Sequence, residues 1–297
     1  MDLDELFRKA VGAIDAGDKR ALEALLEAHP ELVRKRLDSP GAWLRRQVGD
    51  ALDDFFRRPY LLWFVAEDPV RNGRLPGNIA EIARAIIGAA RREGVETLGE
   101  QVDTALRLVS WSWIARECGV QIELIDALVE AGAVLDGNPE NALVNGNLAA
   151  AEHLVGLGAV LTLGSALCLE RWEDVARLAR EAGARERQFA FVLAALNGRS
   201  EALRRMIDLG VELDGPSPDL FSHATPLHHA VHSGRLEAVR VLVDAGADLS
   251  TKDTAWQGTP LDWAEHAGNA EIAEYLREQA MTRAPFPLAG RLTDPLS

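Results

Sequence analysis

Thr225-Pro226-Leu227-His228-His229-Ala230 decides the fold, because it returns 34 residues later as Thr259-Pro260-Leu261-Asp262-Trp263-Ala264. Each copy reads as the start of a short helix. Threonine caps it by accepting a bond from a free amide of the first turn, and proline fits the first helical position, where no N–H is needed. In the second copy Asp262 stands three residues after Thr259, the spacing of a capping box. Gly234 and Gly268 then end each short helix. A second helix follows, with Val239, Leu242 and Val243 at i, i+3, i+4 in the first copy and Ala270–Leu276 in the second. Gly246 closes the first pair. Self-similarity at this period is the mark of stacked helix–turn–helix units, none of which can bury its apolar face alone.

Weaker copies run upstream. Ala194–Gly198 leads to Ala202–Gly210, Asn141–Gly146 to Ala150–Ala159, Ile114–Gly119 to Leu124–Ala133, and Ala13–Gly17 to Ala21–Leu26. Another copy lies between Gly164 and Gly183, with Arg171 at the place of the central glycine. The closing glycines Gly132, Gly158, Gly183 and Gly210 are 26, 25 and 27 residues apart, whereas Gly210 to Gly246 is 36. A unit of about 33 residues holds two helices and a hairpin loop, so the middle units are too short for an extended β-hairpin. The long loop is expected to return at Glu212–Ser222.

Thr-Pro-Leu-His-x-Ala at Thr225–Ala230, repeated with Asp262 in place of the histidine, resembles the ankyrin repeat. The weaker copies resemble it progressively less, and the N-terminal third resembles the divergent repeats of some bacterial ankyrin proteins. The resemblance implies an all-α ankyrin-repeat solenoid of stacked helix–turn–helix units. Its expected organisation is an N-terminal capping repeat over 1–37, a divergent repeat with insertions over 38–113, a repeat array over 114–280 with its best units at 222–278, and an irregular tail over 281–297 carrying Pro285, Pro287 and Pro295. Within 38–113, Arg58–Ala66 reads as a first helix, Ile79–Ile87 as its partner, Pro69–Pro76 as an inserted loop and Gln101–Val109 as an extra helix.

Composition narrows the function. A formal net charge of −14 argues against nucleic acid as a partner. No apolar run is long enough to cross a bilayer, and the acidic Met1-Asp2-Leu3-Asp4-Glu5 does not follow the pattern of a signal peptide. A cytoplasmic, monomeric protein without membrane partners is the expectation. Cys118 and Cys168 are too few for a disulfide framework or a cysteine zinc site and read as buried thiols. No nucleophile elbow, phosphate loop, EF-hand or zinc-protease motif occurs. His228 and His232 have metal-site spacing, but His228 is the signature histidine of the repeat and no acid stands between them as in a zinc protease. No catalytic residue, metal or cofactor is therefore expected.

The resemblance implies a protein-binding scaffold whose partner sits on loops and first helices. Carried onto matching positions, that surface comprises Phe221, His223, His232, Trp256, Gln257 and His266, with Leu196, Asn197, Val144 and Asn145 from the weaker copies. Trp256 leads this set, being an aromatic in a loop before a first helix. Trp63, Trp111 and Trp113 read as core, and Trp172 as part of an inter-helix turn. The alternative is an enzyme or small-molecule pocket formed by 38–113, with Arg57, Arg58, Tyr60, Asp68 and Arg71 as its polar groups.

Overall fold

The structure, a computed structural model, describes residues 2–283. Its described residues are mostly helical, with no named strand and one isolated antiparallel bridge, Ser217 to Leu220. The expected irregular tail lies outside them, except that residues 281–283 continue the last helix. The chain divides into two compact units, 1–178 and 179–297.

The first unit holds α1 (Leu3–Ala16), α2 (Lys19–Ala28), α3 (Glu31–Arg34), α4 (Ala42–Val48), α5 (Ile79–Arg92), α6 (Leu98–Trp111), α7 (Trp113–Glu117), α8 (Gln121–Glu130), α9 (Asn138–Val144), α10 (Leu148–Gly156) and α11 (Leu163–Cys168). Next, α12 (Trp172–Glu181) runs across the division. The second unit continues with α13 (Ala184–Leu196), α14 (Ser200–Asp208), α15 (Pro226–His232), α16 (Leu236–Asp244), α17 (Pro260–His266) and α18 (Ala270–Arg283). There α13, α15 and α17 stack as first helices, and α14, α16 and α18 as second helices.

One hydrogen bond repeats at the inter-helix turns and fixes their register. The amide after the central residue donates to an alanine carbonyl five positions back: Asn147 to Ala142 at 3.0 Å, Arg199 to Ala194 at 2.9 Å and Asn269 to Ala264 at 2.9 Å. This is the Schellman pattern, and it needs a left-handed central residue. Arg171 makes the same bond to Ala166 at 2.9 Å, so Glu170, at φ 58°, holds the central position and not Arg171. Gly183 also departs from expectation: at φ −75° it precedes α13 in extended backbone and does not close α12 in the left-handed way.

The middle connections are short, as the glycine spacing implied. Only residues 157–162 separate α10 from α11, whereas 209–225 separate α14 from α15. Gln188 holds the long loop, donating to the carbonyls of Glu212 at 2.9 Å and Gly215 at 2.5 Å and accepting the Glu212 amide at 3.1 Å.

The divergent region differs in detail. Leu61–Ala66 forms a 3-10 helix, not an α-helix, and all six residues are buried. It packs against α1, α5 and α6, while α6 also packs on α9. Gln101–Val109 thus belongs to a first helix of the stack, and α7 lengthens the connection to α8. The loop after the 3-10 helix winds around Glu67, which is fully buried and accepts the Arg71 and Gly73 amides, both at 2.8 Å. Trp63 is core, but Trp111 is half-buried and Trp113 is 47% exposed, because Trp113 begins the short α7 outside the stack. Trp172 opens α12. Cys168 is buried as expected, but Cys118 is half-buried, its sulfur 3.3 Å from the Leu75 amide.

Candidate partner-binding surface

A buried carboxylate organises the loop before α17. Asp253 is 1% exposed and accepts the amides of Ala255, Trp256 and Gly258 at 2.9, 2.6 and 2.9 Å and the Trp263 indole N–H at 3.0 Å. Burial alone would raise its pKa, yet the donors from Trp256, Trp263, Gly258 and Ala255 outweigh it and hold the carboxyl at about 2. The turn is therefore wound around a permanent anion. Gln257 takes the left-handed backbone this requires, at φ 59°, and its amide donates to the Asp253 carbonyl at 3.2 Å. Trp256 is thereby held outward, 70% exposed.

The signature histidine locks this turn to the preceding repeat. His228 Nδ1 lies 2.8 Å from Thr225 Oγ1 and accepts the Thr225 amide at 3.3 Å, and its Nε2 is 3.1 Å from the Gly258 carbonyl. These partners fit a neutral ring with the proton on Nε2. Burial first lowers the His228 pKa, with the Gly258 bond and Asp253 opposing. In the next repeat Asp262 takes the place of this residue and likewise closes a capping box, accepting from both the Thr259 amide and its hydroxyl at 2.7 Å.

Around this frame the rings of three expected residues, His223, His232 and Trp256, converge on one that the expected surface omitted. Trp263 lies 6.1 Å from His223, 6.4 Å from His232 and 5.8 Å from Trp256, measured between ring centroids. Phe221 joins through His223 at 6.2 Å, and His223 touches Trp256 edge-on at 5.1 Å. Phe221 is 43% exposed at φ 44°. A bulky side chain in left-handed backbone costs about 1–2 kcal/mol, so the loop accepts strain to keep this ring outward. His229 sits beneath, buried, 6.0 Å from Phe221 and 6.4 Å from Trp263. Its Nε2 has no hydrogen-bond partner. Burial, followed by the neighbouring His223, His228 and His232, lowers its pKa to about 4.

The other expected residues lie apart from this cluster. His266 is exposed at the end of α17, the place His232 has in α15. Leu196 and Asn197 are half-buried at the end of α13, where the Asn197 amide donates to the Leu193 carbonyl at 2.8 Å. Val144 and Asn145 belong to the first unit, where the Asn145 amide donates to the Trp111 carbonyl at 2.8 Å.

Three of the polar groups of the alternative pocket, Arg71, Arg58 and Tyr60, are engaged with side chains outside that set. The Arg71 side chain is 1% exposed, 2.7 Å from Asp15 and 3.0 Å from Glu67. Arg58 pairs with Asp38, and the Arg36 guanidinium lies 4.3 Å from the centre of the buried Tyr60 ring. Arg57 is exposed, and Asp68, raised to about 6 first by burial and then by Glu67, lies next to the ion pairs in sequence. Among the described residues no three His, Cys, Asp or Glu side chains are grouped to hold a metal ion.

The family model for ankyrin repeats (3 copies) matches residues 140–253 and 191–283. The protein is an ankyrin-repeat domain protein. Human cyclin-dependent kinase inhibitor 2A is 41% identical over 71 residues, 23% of this chain and 45% of that protein. Mouse ARF GTPase-activating protein GIT2 is 35% identical over 100 residues, 33% of this chain and 14% of that protein. The potassium channel GORK of Arabidopsis thaliana is 35% identical over 81 residues, 27% of this chain and 9% of that one. The ankyrin-repeat protein thus spans less than half the length of each. A crystal structure of the human ASB11 ankyrin repeat domain aligns with a TM-score of 0.34 at 19% identity, covering 67% of this chain and 94% of that one. Ankyrin repeats are protein-interaction modules, and proteins built from them are generally non-enzymatic.

Proposed function

We propose that this ankyrin-repeat protein is a non-catalytic scaffold that holds another protein on the concave side of its second unit, on the loops and first-helix ends between Phe221 and His266. The observation that carries this reading is the pair of outward aromatics, Trp256 and Phe221, fixed by a buried carboxylate and by left-handed backbone. A large aromatic on a rigid support loses little conformational freedom on binding, and such residues dominate interface energetics. His223, His232 and Gln257 supply hydrogen-bonding groups around them. Leu196, Asn197 and His266 extend the surface along the helix ends, and Val144 and Asn145 are the matching positions of the first unit. A monomer working in the cytoplasm completes the proposal.

Capture of the partner from native cells, with wild-type protein and the Trp256→Ala/His232→Ala double variant as baits, tests the assignment. Both side chains are exposed, so helical circular dichroism should be unchanged. Loss of the partner from the variant bait is expected. Retention at the wild-type level overturns the assignment of the surface.

A further inference from the structure

Elsewhere in the protein, several aromatic rings carry one of its own guanidinium groups. Arg36 lies 4.3 Å from the centre of Tyr60 and 5.4 Å from that of Trp63, Arg71 lies 5.2 Å from Phe64, and Arg240 lies 5.4 Å from Tyr275. Among the described residues, no Lys or Arg is placed over Phe221, Trp256 or Trp263. Among the described residues Trp256 and Phe221, 70% and 43% exposed, are the most exposed aromatics of the second unit.

We propose that the ridge formed by Trp256, His223 and Phe221 takes an arginine side chain of the partner, its guanidinium stacked on the exposed Trp256 ring. The proposal rests on the reading of this surface as the partner site.

Charge supports it on two scales. The chain carries a formal −14, which favours a basic segment. Locally, the permanent anion Asp253 sits under the ridge and accepts the Trp263 indole N–H at 3.0 Å. Asp253 also accepts the Trp256 amide at 2.6 Å, so a buried negative charge lies close to the ring on which the guanidinium stacks. The buried imidazoles of His228 and His229, both with lowered pKa, add no positive charge at neutral pH. Trp256, 70% exposed, offers a face large enough for the flat guanidinium group. A planar, weakly hydrated guanidinium stacks there better than the compact, strongly hydrated ammonium of lysine.

The test is selection of a random twelve-residue peptide library, displayed on phage, against the full chain. Retained peptides are then measured as synthetic copies by fluorescence anisotropy. The expected result is enrichment of arginine, with affinity falling at least tenfold on Trp256→Ala. Replacing that arginine by citrulline, its neutral isostere, should weaken binding by about five- to thirty-fold, the range of a cation–π contact that is partly to fully desolvated. Lysine should fall between the two. Peptides that lose affinity on Trp256→Ala but not on citrulline replacement would overturn the arginine inference and leave the surface assignment standing. Peptides indifferent to Trp256→Ala would overturn both. Unchanged helical circular dichroism of the variant excludes misfolding as the cause.

Discussion

His229 should make the second unit sensitive to acid. Its imidazole is 2% exposed, its Nε2 is unpartnered, and its pKa is lowered from 6.5 to about 4. A depressed folded-state pKa means that the unfolded chain takes up the proton first. The stability that the neutral ring contributes is therefore present above pH 6.5 and is lost as pH falls towards 4. A full shift of this size corresponds to about 3 kcal/mol, and about 2 kcal/mol of it is already lost between pH 7 and pH 5. The repeat register suggests the control: Leu193 of α13 stands five residues before Gly198, as His229 stands five before Gly234. His229→Leu thus places a side chain that the fold already accepts at this position, and it removes the unpartnered nitrogen. Urea unfolding followed by circular dichroism at half-unit steps from pH 7.5 to 4.5 should show the wild type losing about 2 kcal/mol more than His229→Leu between pH 7 and 5. Parallel curves would refute the argument that burial keeps this ring neutral. His228, whose pKa is lowered in the same direction, is present in both proteins and cancels in the difference.

Three further outcomes follow from the same kind of reasoning. Arg71→Ala should cost about 3–5 kcal/mol in urea unfolding, because it leaves Glu67 buried without its cationic partner; a loss under 1 kcal/mol would show that the pair does not hold the 67–73 turn. Glu170→Gly should stabilise the protein by about 1 kcal/mol, relieving a side chain at φ 58° that glycine tolerates without strain; a lower unfolding midpoint would contradict the turn register. Asp68 has a raised pKa, so its contribution is lost as pH rises from 3.8 through about 6, and Asp68→Asn should raise the unfolding free energy at pH 7.5, by about 1–2 kcal/mol after allowance for partial exposure, and change little at about pH 3.5. Equal effects at the two pH values would rule out ionisation as the cause.

Legibility in the sequence followed how locally each feature is encoded. Threonine, proline and glycine act on the backbone within one turn, so α15 and α17 could be read directly from Thr225–Gly234 and Thr259–Gly268. Glycine spacing also foretold short connections in the middle. The central turn at Glu170 was misplaced by one residue because its left-handed position carries no glycine, and only the Arg171–Ala166 bond reveals it. The 3-10 helix at Leu61–Ala66 is apolar on every side, so it has no periodicity to tell it from an α-helix. Within the candidate surface, Trp256 stood out as a loop aromatic. Trp263 did not, because it occupies a variable position inside a helix, although alignment with His229 would have placed both in one column. Asp253 gave no local signal: its role depends on four donors that only the folded turn brings to it.

The most direct measurement of the central claim is hydroxyl-radical footprinting of the protein alone and bound to its captured partner. Trp256, at 70% exposed, should oxidise readily in the free protein. In the complex its oxidation, with that of Phe221 and His232, should fall severalfold, while Met281, 72% exposed at the end of α18, should be unchanged. Oxidation of Trp256 at the same rate in both states, with protection elsewhere, would contradict the account.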